Sequence, residues 1–440
     1  MILRDPVHGL VAFEADEELI VESLVDTPEV QRLRRVRQLG VTSLAFPGAE
    51  HTRFAHAVGT AFVMKLLLAR LRTIDHDLPF WHRITSDRAR DALAAAMLHD
   101  VGHGPLSHLF EDAIPGIPHH EVWTERILLD PGTSIHKTLS ALDPAMPGRV
   151  AALVRGEHPF AYLAKAVSGT LDVDRCDYLL RDAHATGVRY GVFDLDWLLR
   201  SLRFNPVRAD AGAQVNSPMG GPAPALAIDG AKGLPAIEAF IIARLFMFQQ
   251  VYLHKATRSA EWMIRTALAR AASCILDGDK LDSVPKGIDL AVRGHEMPLG
   301  DYLELDDATL SCAMHAWETA SNPALADIVR RIRARALFKT FELFGEQATP
   351  QGRQEALEKA REIAVARGFD PDVYVGLDIA SDIPFDDEKD PLLVVFAKGP
   401  ARPLRDVSFL LTRIAGQVVS RTRLIIAPEL RDDVTRSLAG

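Results

Sequence analysis

Histidine is crowded into one stretch of this 440-residue chain: nine of its sixteen fall between His51 and His120. At the centre of the stretch is LHDVGHGPLSH, Leu98 to His108. A His-Asp pair on a surface is commonplace, but His99-Asp100 ends an apolar run, Leu93 to Leu98, where burial is expected. An ionised carboxylate is costly to bury unless it is paired or binds a metal. Gly102 and Gly104 allow the chain to turn tightly and bring His103 and His108 back toward the pair. Clustering of this kind favours metal binding or catalysis over a satisfied core pair.

Further ligands must come from other helices. His56, in HTRFAHAVG, lies on the apolar face of its helix; alone it reads as a hydrogen-bonded core histidine. In LDVDRCDYLLRDAH, the residues Asp174, Asp177, Tyr178, Arg181 and Asp182 recur at helical spacing, which gathers acids, a phenol and a guanidinium near one face. Without His99-Asp100, a solvated, salt-bridged helix would be the simpler reading. Two imidazoles and two carboxylates, His56, His99, Asp100 and Asp174, make a mixed nitrogen and oxygen set. Such a set suits Fe, Mn, Zn or Ni more than Ca or Mg. A metal there can polarise a phosphoryl group and lower the pKa of water.

The elements that must position these groups are mostly helical. A strand or hairpin is expected around Val7 to Phe13, then a helix starting at Asp26-Thr27-Pro28, where a capping residue precedes proline. Helical patterns follow at 52–72, 87–100, 120–129, 160–186 and 194–202. On the second of these, Leu93, Ala96, Met97 and Asp100 share a stripe, and Gly102, Gly104 and Pro105 stop it. Residues 205–232 are rich in Pro, Gly and Ala and read as a loop or exposed hairpin. One long helix is expected from Pro235 to about Cys274, and others at 325–345 and 351–367. Strand-like runs appear at Val373–Ile379, Leu392–Ala397 and Arg423–Ile426. The fold class is therefore mainly α: a helical catalytic lobe followed by a C-terminal α+β lobe. The expected division is 1–50 (hairpin and helix of the catalytic lobe), 51–320 with the 205–232 insertion, and 321–440.

Composition narrows the function classes. Apolar residues make up 48% and charged residues 25%, ordinary for a globular core. A net charge of −9 argues against a general nucleic-acid binder. Cys176, Cys274 and Cys312 are odd in number and far apart, so no disulfide framework or CxxC zinc site is supported. That fits a reducing, cytoplasmic setting. No signal-peptide core is read at the N-terminus. No apolar run is read as approaching the roughly 20 residues that cross a bilayer.

The order His56, His99-Asp100, Asp174 on successive helices resembles that of the HD superfamily of metal phosphohydrolases. The likeness goes further. FPGAEHTRFAHAVG, LHDVGHGPLSH, HHE at 119–121, DVDRCDYLLRD and VYLHK at 251–255 resemble the SAM-and-HD-domain deoxynucleoside triphosphate triphosphohydrolases and their bacterial relatives. DPVHG at 5–9 and DTPEVQRLRRVRQLG at 26–40 fit as well, so the similarity runs from residue 5 to about 260, with a weaker echo at 328–345.

The resemblance implies roles residue by residue. His56, His99, Asp100 and Asp174 would hold one divalent transition metal beside the α-phosphate, with magnesium accompanying the substrate phosphates. His103 would contact that phosphate, and His108 would transfer a proton, supported by Glu111 and His120. Arg53, Arg175, Tyr178 and Arg244 would bind the triphosphate; Gln38 and Asp182 would read the sugar 3′-hydroxyl, and Tyr252 would pack on sugar or base. Asp26, Gln31, Arg34 and Lys255 match positions for an activating nucleotide at a subunit interface, which implies a homo-oligomer, dimer or tetramer. On their own residues the bland readings stand beside these. Arg53 and Arg175 could be salt-bridge partners, Tyr252 core, and DTPEVQRLR an ordinary amphipathic helix.

Departures from the family pattern bear on specificity. Glu111 stands where the family usually has Asp, and Arg175 replaces a lysine, keeping charge but not shape. Phe248 and Leu253 replace a histidine and a glutamine near the base and sugar, which puts nucleotide preference in question. No SAM domain is expected ahead of the HD lobe.

The implied reaction is attack of water on the α-phosphorus of a deoxynucleoside triphosphate, giving deoxynucleoside and inorganic triphosphate. Two readings compete with it: an HD phosphohydrolase acting on nucleoside monophosphates, cyclic nucleotides or nucleic-acid ends, and a nucleotide-binding regulator that has lost catalysis. Gln38, Arg53, Arg175 and Arg244 together favour a triphosphate over the first. The intact ligand set with His103, His108 and His120 speaks against the second.

Overall fold

A computed structural model describes residues 1–114, 116–206, 224–386 and 390–439. The fold is mainly α, with three small sheets among the described residues. Its organising element is the helix Arg53–Arg72, which packs between the helices Ser86–Leu98 and Val173–Thr186. Both partners begin on side-chain caps: Thr85 accepts from the Arg88 N–H, and Asp172 from the Arg175 N–H. Gly187, at φ +75°, ends the second in the left-handed conformation that glycine adopts without strain.

These helices carry a first core, with Leu67, Leu93, Met97, Leu179 and Phe240 buried in it. A second core surrounds the helix Lys255–Asp277, against which Pro323–Arg333 and Pro350–Ala366 help to close an antiparallel sheet. Strand order there is Lys339–Glu342, Val419–Ile426, Val375–Asp382.

Several expectations hold closely. The N-terminal segment is a hairpin, Ile2–Asp5 against Gly9–Ala12, and His120–Leu129 is helical over the expected span. Leu202–Pro206 pairs with Pro224–Asp229 as the arms of a hairpin; the insertion's residues 207–223 lie outside the described residues.

Others need correction. The helix expected at 325–345 ends at Arg333; Arg335 takes φ +54°, and Lys339–Glu342 pairs with Arg423–Ile426. The stripe from Pro235 is broken: Leu234–Met247 passes into a π-turn at Phe248–Tyr252, and His254 caps a new helix. The run at 160–186 divides at residues 168–172, where Asp172 starts the second helix. Some described residues after 321 also join the first core. Leu393–Val395 pairs in parallel with Ala227–Asp229, and Phe385, Val394, Leu404 and Leu411 are buried in the first core. The second core, in turn, recruits residues from Val41 onward. Such long-range pairings leave no periodic trace in sequence.

Two helices, Arg53–Arg72 and Leu234–Tyr252, are long and apolar enough to cross a membrane by length and composition, contrary to the expectation. Burial accounts for the first: 67% of its most apolar window is enclosed by protein, and it carries the buried His56.

Candidate metal centre and active site

The centre is assembled where three helices meet. His56 projects from Arg53–Arg72, His99 caps the C-terminus of Ser86–Leu98, and Asp174 lies in the first turn of Val173–Thr186. His56 Nε2 and His99 Nε2 stand 3.3 Å apart, with Asp174 Oδ1 at 3.0 and 3.4 Å from them. For metal bonds of about 2.0–2.1 Å, the edge of a tetrahedral ligand set is roughly 3.3 Å. The second ring nitrogens are already committed: His56 Nδ1–H donates to Asp177 Oδ2 at 2.8 Å, and His99 Nδ1–H to the Ala96 carbonyl at 2.9 Å. Hydrogen bonds of this kind fix the tautomer that turns Nε2 toward a cation.

The electrostatics agree. Burial disfavours a charged His56, yet hydrogen bonds to Asp174 and Asp177 outweigh it and lift the imidazole to about 10. Asp174 is half-buried, and although the desolvation works against its charge, His56 and His99 hold its carboxyl well below the usual range. This concentration of negative charge around two imidazoles fits a divalent transition metal.

Asp100 forms the far corner. Its Oδ1 lies 3.5 Å from His99 Nε2 and 3.3 Å from His103 Nε2, and its Oδ2 lies 3.8 Å from His56 Nε2. Arg53 also contacts Asp100 Oδ2 and donates to Ser107 Oγ at 2.9 Å. Burial and neighbouring Arg53 push His103 well below the ordinary imidazole range, so it stands neutral.

Behind the centre is a network that the sequence reading did not assign. Asp177 is fully buried and accepts from His56, from His8 Nε2 at 2.6 Å and from Arg181 at 2.8 and 2.9 Å. Arg181 then reaches Asp5 at 2.8 Å. The spacing of Asp177 and Arg181 after Asp174 carried the signal, and DPVHG supplied both Asp5 and His8. Gly59, one turn along from His56, lets the helices approach: a Cβ there would collide with the Asp177 carboxylate and the Arg181 guanidinium. Gly59→Ala is therefore expected to destabilise by about 1–3 kcal/mol, typical of overpacking, read as a lowered midpoint in urea unfolding. An unchanged midpoint would contradict this packing.

Toward solvent stands a second group. His108 Nδ1 lies 2.8 Å and His120 Nδ1 3.1 Å from Glu111 Oε1, while the His120 backbone N–H donates to Glu111 Oε2 at 2.6 Å. Burial works against ionisation, but those hydrogen bonds hold Glu111 well below the usual carboxyl range. His120 stacks on His103 with ring centroids 3.7 Å apart.

The loop carrying His103 and His108 takes an uncommon path, with Leu106 at φ +54° and Ser107 at φ +59°. Arg32, fully buried, fastens it by donating to the carbonyls of Val101, His103 and Leu305 at 3.0, 2.6 and 2.8 Å. Asp307 accepts from the Leu106 N–H at 2.8 Å, and the Tyr302 hydroxyl donates to the Gly102 carbonyl at 2.5 Å.

The other expected binding residues fall into separate groups. Gln38, Arg53, His108 and Tyr252 line a cleft of about 1180 Å³, which Phe248 and Leu253 also border. His99, Asp100, His120, Asp174 and Arg175 line a neighbouring one of about 1280 Å³. Arg175 contacts Asp172 and the Gly169 carbonyl, and it shares a further opening with Arg244, which donates to the Pro384 carbonyl at 2.9 Å. Asp182 is buried and engaged by His51 and by the Tyr252 hydroxyl, each at 2.7 Å. Tyr178 is half-buried, its ring 6.5 Å from Tyr252.

Of the residues expected to bind an activator, Gln31 donates to the Val25 carbonyl and accepts from Arg34. Arg34 lies over the Phe54 ring, and Asp26 caps the helix Leu19–Val25. Lys255 is elsewhere, around a depression with Arg335, Lys339 and Arg431.

Helices that deliver a histidine, a His-Asp pair and an aspartate to one point define an HD domain. The HD domain model matches residues 53–182 and the HD associated region model residues 224–439. The chain is 32% identical to the Bacillus subtilis protein YwfO, over 99% of this chain and 94% of that protein. It is 28% identical to the deoxynucleoside triphosphate triphosphohydrolase SAMHD1 homolog of Dictyostelium discoideum, over 77% of this chain but only 59% of that protein. Among solved structures, a phosphohydrolase from Bacteroides thetaiotaomicron superposes with a TM-score of 0.79 at 26% identity, covering 97% of this chain and 99% of that one. The chain belongs to the HD-domain family of phosphohydrolases.

Proposed function

We propose that the protein hydrolyses deoxynucleoside triphosphates to deoxynucleoside and inorganic triphosphate. The observation that carries this reading is the contiguity of two groups, the His56–His99–Asp174 cluster and the His108–Glu111–His120 relay, bridged by Asp100 and His103. The first suits a phosphoryl oxygen, the second a leaving oxygen. The triphosphohydrolase activity named for the Dictyostelium relative supports the substrate class.

His56, His99, Asp174 and Asp100 would hold the divalent metal, which supplies positive charge to the phosphoryl oxygens and lowers the pKa of water. The chain's own residues do the rest. Water adds to the α-phosphorus, releasing one proton to solvent, and the bond from phosphorus to O5′ breaks, its electron pair leaving on O5′. His108, with Nδ1–H held by Glu111, protonates that oxygen through Nε2; positioned acids of this kind contribute about 10²–10⁴-fold. Arg53, Arg175 and Arg244 surround the triphosphate, with Tyr178 beside them. The Gln38 amide oxygen, buried without a protein partner among the described residues, would accept from the sugar 3′-hydroxyl. Asp182 acts there by fixing the Tyr252 phenol against the sugar.

An activating nucleotide and a homo-oligomer belong to the same proposal. The depression flanked by Lys255, Arg335, Lys339 and Arg431 offers the positive charge a polyphosphate requires.

The test is product analysis by ion-exchange chromatography after manganese-loaded protein meets each dNTP, singly and mixed, beside Asp100→Ala. Deoxynucleoside with intact triphosphate is expected, and is expected to be absent in the variant. Turnover restricted to mixtures would add the activating site. Stepwise phosphate release, or turnover of monophosphates or cyclic nucleotides alone, would sink the reading.

A further inference from the structure

Glu111 Oε1 has a third imidazole beside it that the proposed hydrolysis does not use. His119 Nε2 lies 3.4 Å from it, alongside His108 Nδ1 at 2.8 Å and His120 Nδ1 at 3.1 Å. One donor atom from each of these four residues falls within 4.8 Å of the others. Those separations bracket the roughly 3.3 Å edge of a tetrahedral site built from bonds of about 2.0–2.1 Å.

Half of the set is rigid and half is free to close. The Glu111 side chain is only 9% exposed and fixed by the His120 N–H, while the His120 ring is clamped on His103. His108 and His119 are 63% and 51% exposed, at the rim. Adjacent His119 and His120 direct both rings to the same carboxylate, with centroids 4.0 Å apart.

We propose that His108, Glu111, His119 and His120 form a second transition-metal site, and that filling it silences the enzyme. Three imidazoles and one carboxylate suit zinc and its neighbours. The site is weaker than the His56–His99–Asp174 centre, because two of its ligands must be ordered from solvent. A cation there displaces the Nδ1 proton of His108 and takes the Glu111 carboxylate that held it, so the ring can no longer carry the second proton that it would give through Nε2 to the leaving oxygen. The silencing rests on the hydrolase reading above; the binding does not.

Cobalt(II) titration followed by visible absorption and equilibrium dialysis tests the binding without substrate. The wild-type chain is expected to take up two ions, the second with tetrahedral absorption. Asp174→Ala should retain that second ion while losing the first. His119→Ala should weaken the second by at least about tenfold, the lower end for losing even an outer partner of a metal ligand, and leave the first intact. With dNTP, excess zinc should inhibit the wild type and spare His119→Ala, whose turnover with the first centre filled is unchanged. A wild type that binds one ion only, or a second ion indifferent to His119, overturns the site. A second ion bound with undiminished turnover overturns the silencing. Absence of any dNTP turnover would refute the hydrolase reading while leaving the cobalt result to stand.

Discussion

Replacing Asp177 with alanine is expected to weaken metal binding by about ten- to a hundredfold, the range for losing a ligand's outer partner, and to destabilise the chain by about 3–5 kcal/mol, as breaking a buried ion pair does. The reason is its place in the network. Asp177 is 0% exposed and takes hydrogen bonds from His56, His8 and Arg181. Without it, Arg181 keeps only Asp5 among the described residues, and His56 loses the contact that turns Nε2 toward Asp174. Asp177→Asn separates the two effects. It keeps one acceptor for His56 or Arg181 but removes the charge, so stability should recover in part while metal affinity stays low. Calorimetric metal titration beside urea unfolding reads both; normal metal affinity in Asp177→Ala would show that His56 needs no such support.

The second large effect is expected at Arg32, which touches no candidate ligand side chain. Arg32→Met keeps much of the buried volume but strands the carbonyls of Val101, His103 and Leu305. Each buried acceptor left unpaired costs about 1–3 kcal/mol, so a loss of several kcal/mol is expected, shared between global stability and the 101–108 loop. That loop holds Leu106 and Ser107 at positive φ and aims His103 and His108. Amide hydrogen exchange should therefore rise across 101–108 before the rest of the molecule opens. Protection unchanged there, with only the global midpoint lowered, would show that Arg32 stabilises the fold without guiding the loop.

Much of this site was legible because its chemistry is local. His99-Asp100 at the end of an apolar run, and Asp174 at helical spacing from Asp177 and Arg181, announce buried charge that needs a purpose. What His56 faces was legible only through resemblance, since an apolar helix face suits a core histidine equally. Arg32 was hidden inside an amphipathic pattern, because its three acceptors are backbone carbonyls far along the chain. The C-terminal misreadings share one cause. Lys339–Glu342 continues a helical pattern and becomes a strand only because Arg423–Ile426 lies beside it. The strand-like run around Val394 gives no sign that Ile228 is its partner. His119 was visible as half of a His-His pair, but nothing local shows that both rings meet Glu111.

The most direct test of the proposed reaction is the fate of heavy oxygen from labelled water during turnover of a single dNTP, followed by mass spectrometry of the products. Attack on the α-phosphorus with departure of O5′ predicts inorganic triphosphate carrying one heavy oxygen and unlabelled deoxynucleoside. Label in orthophosphate, in a nucleoside monophosphate or in the deoxynucleoside would contradict it.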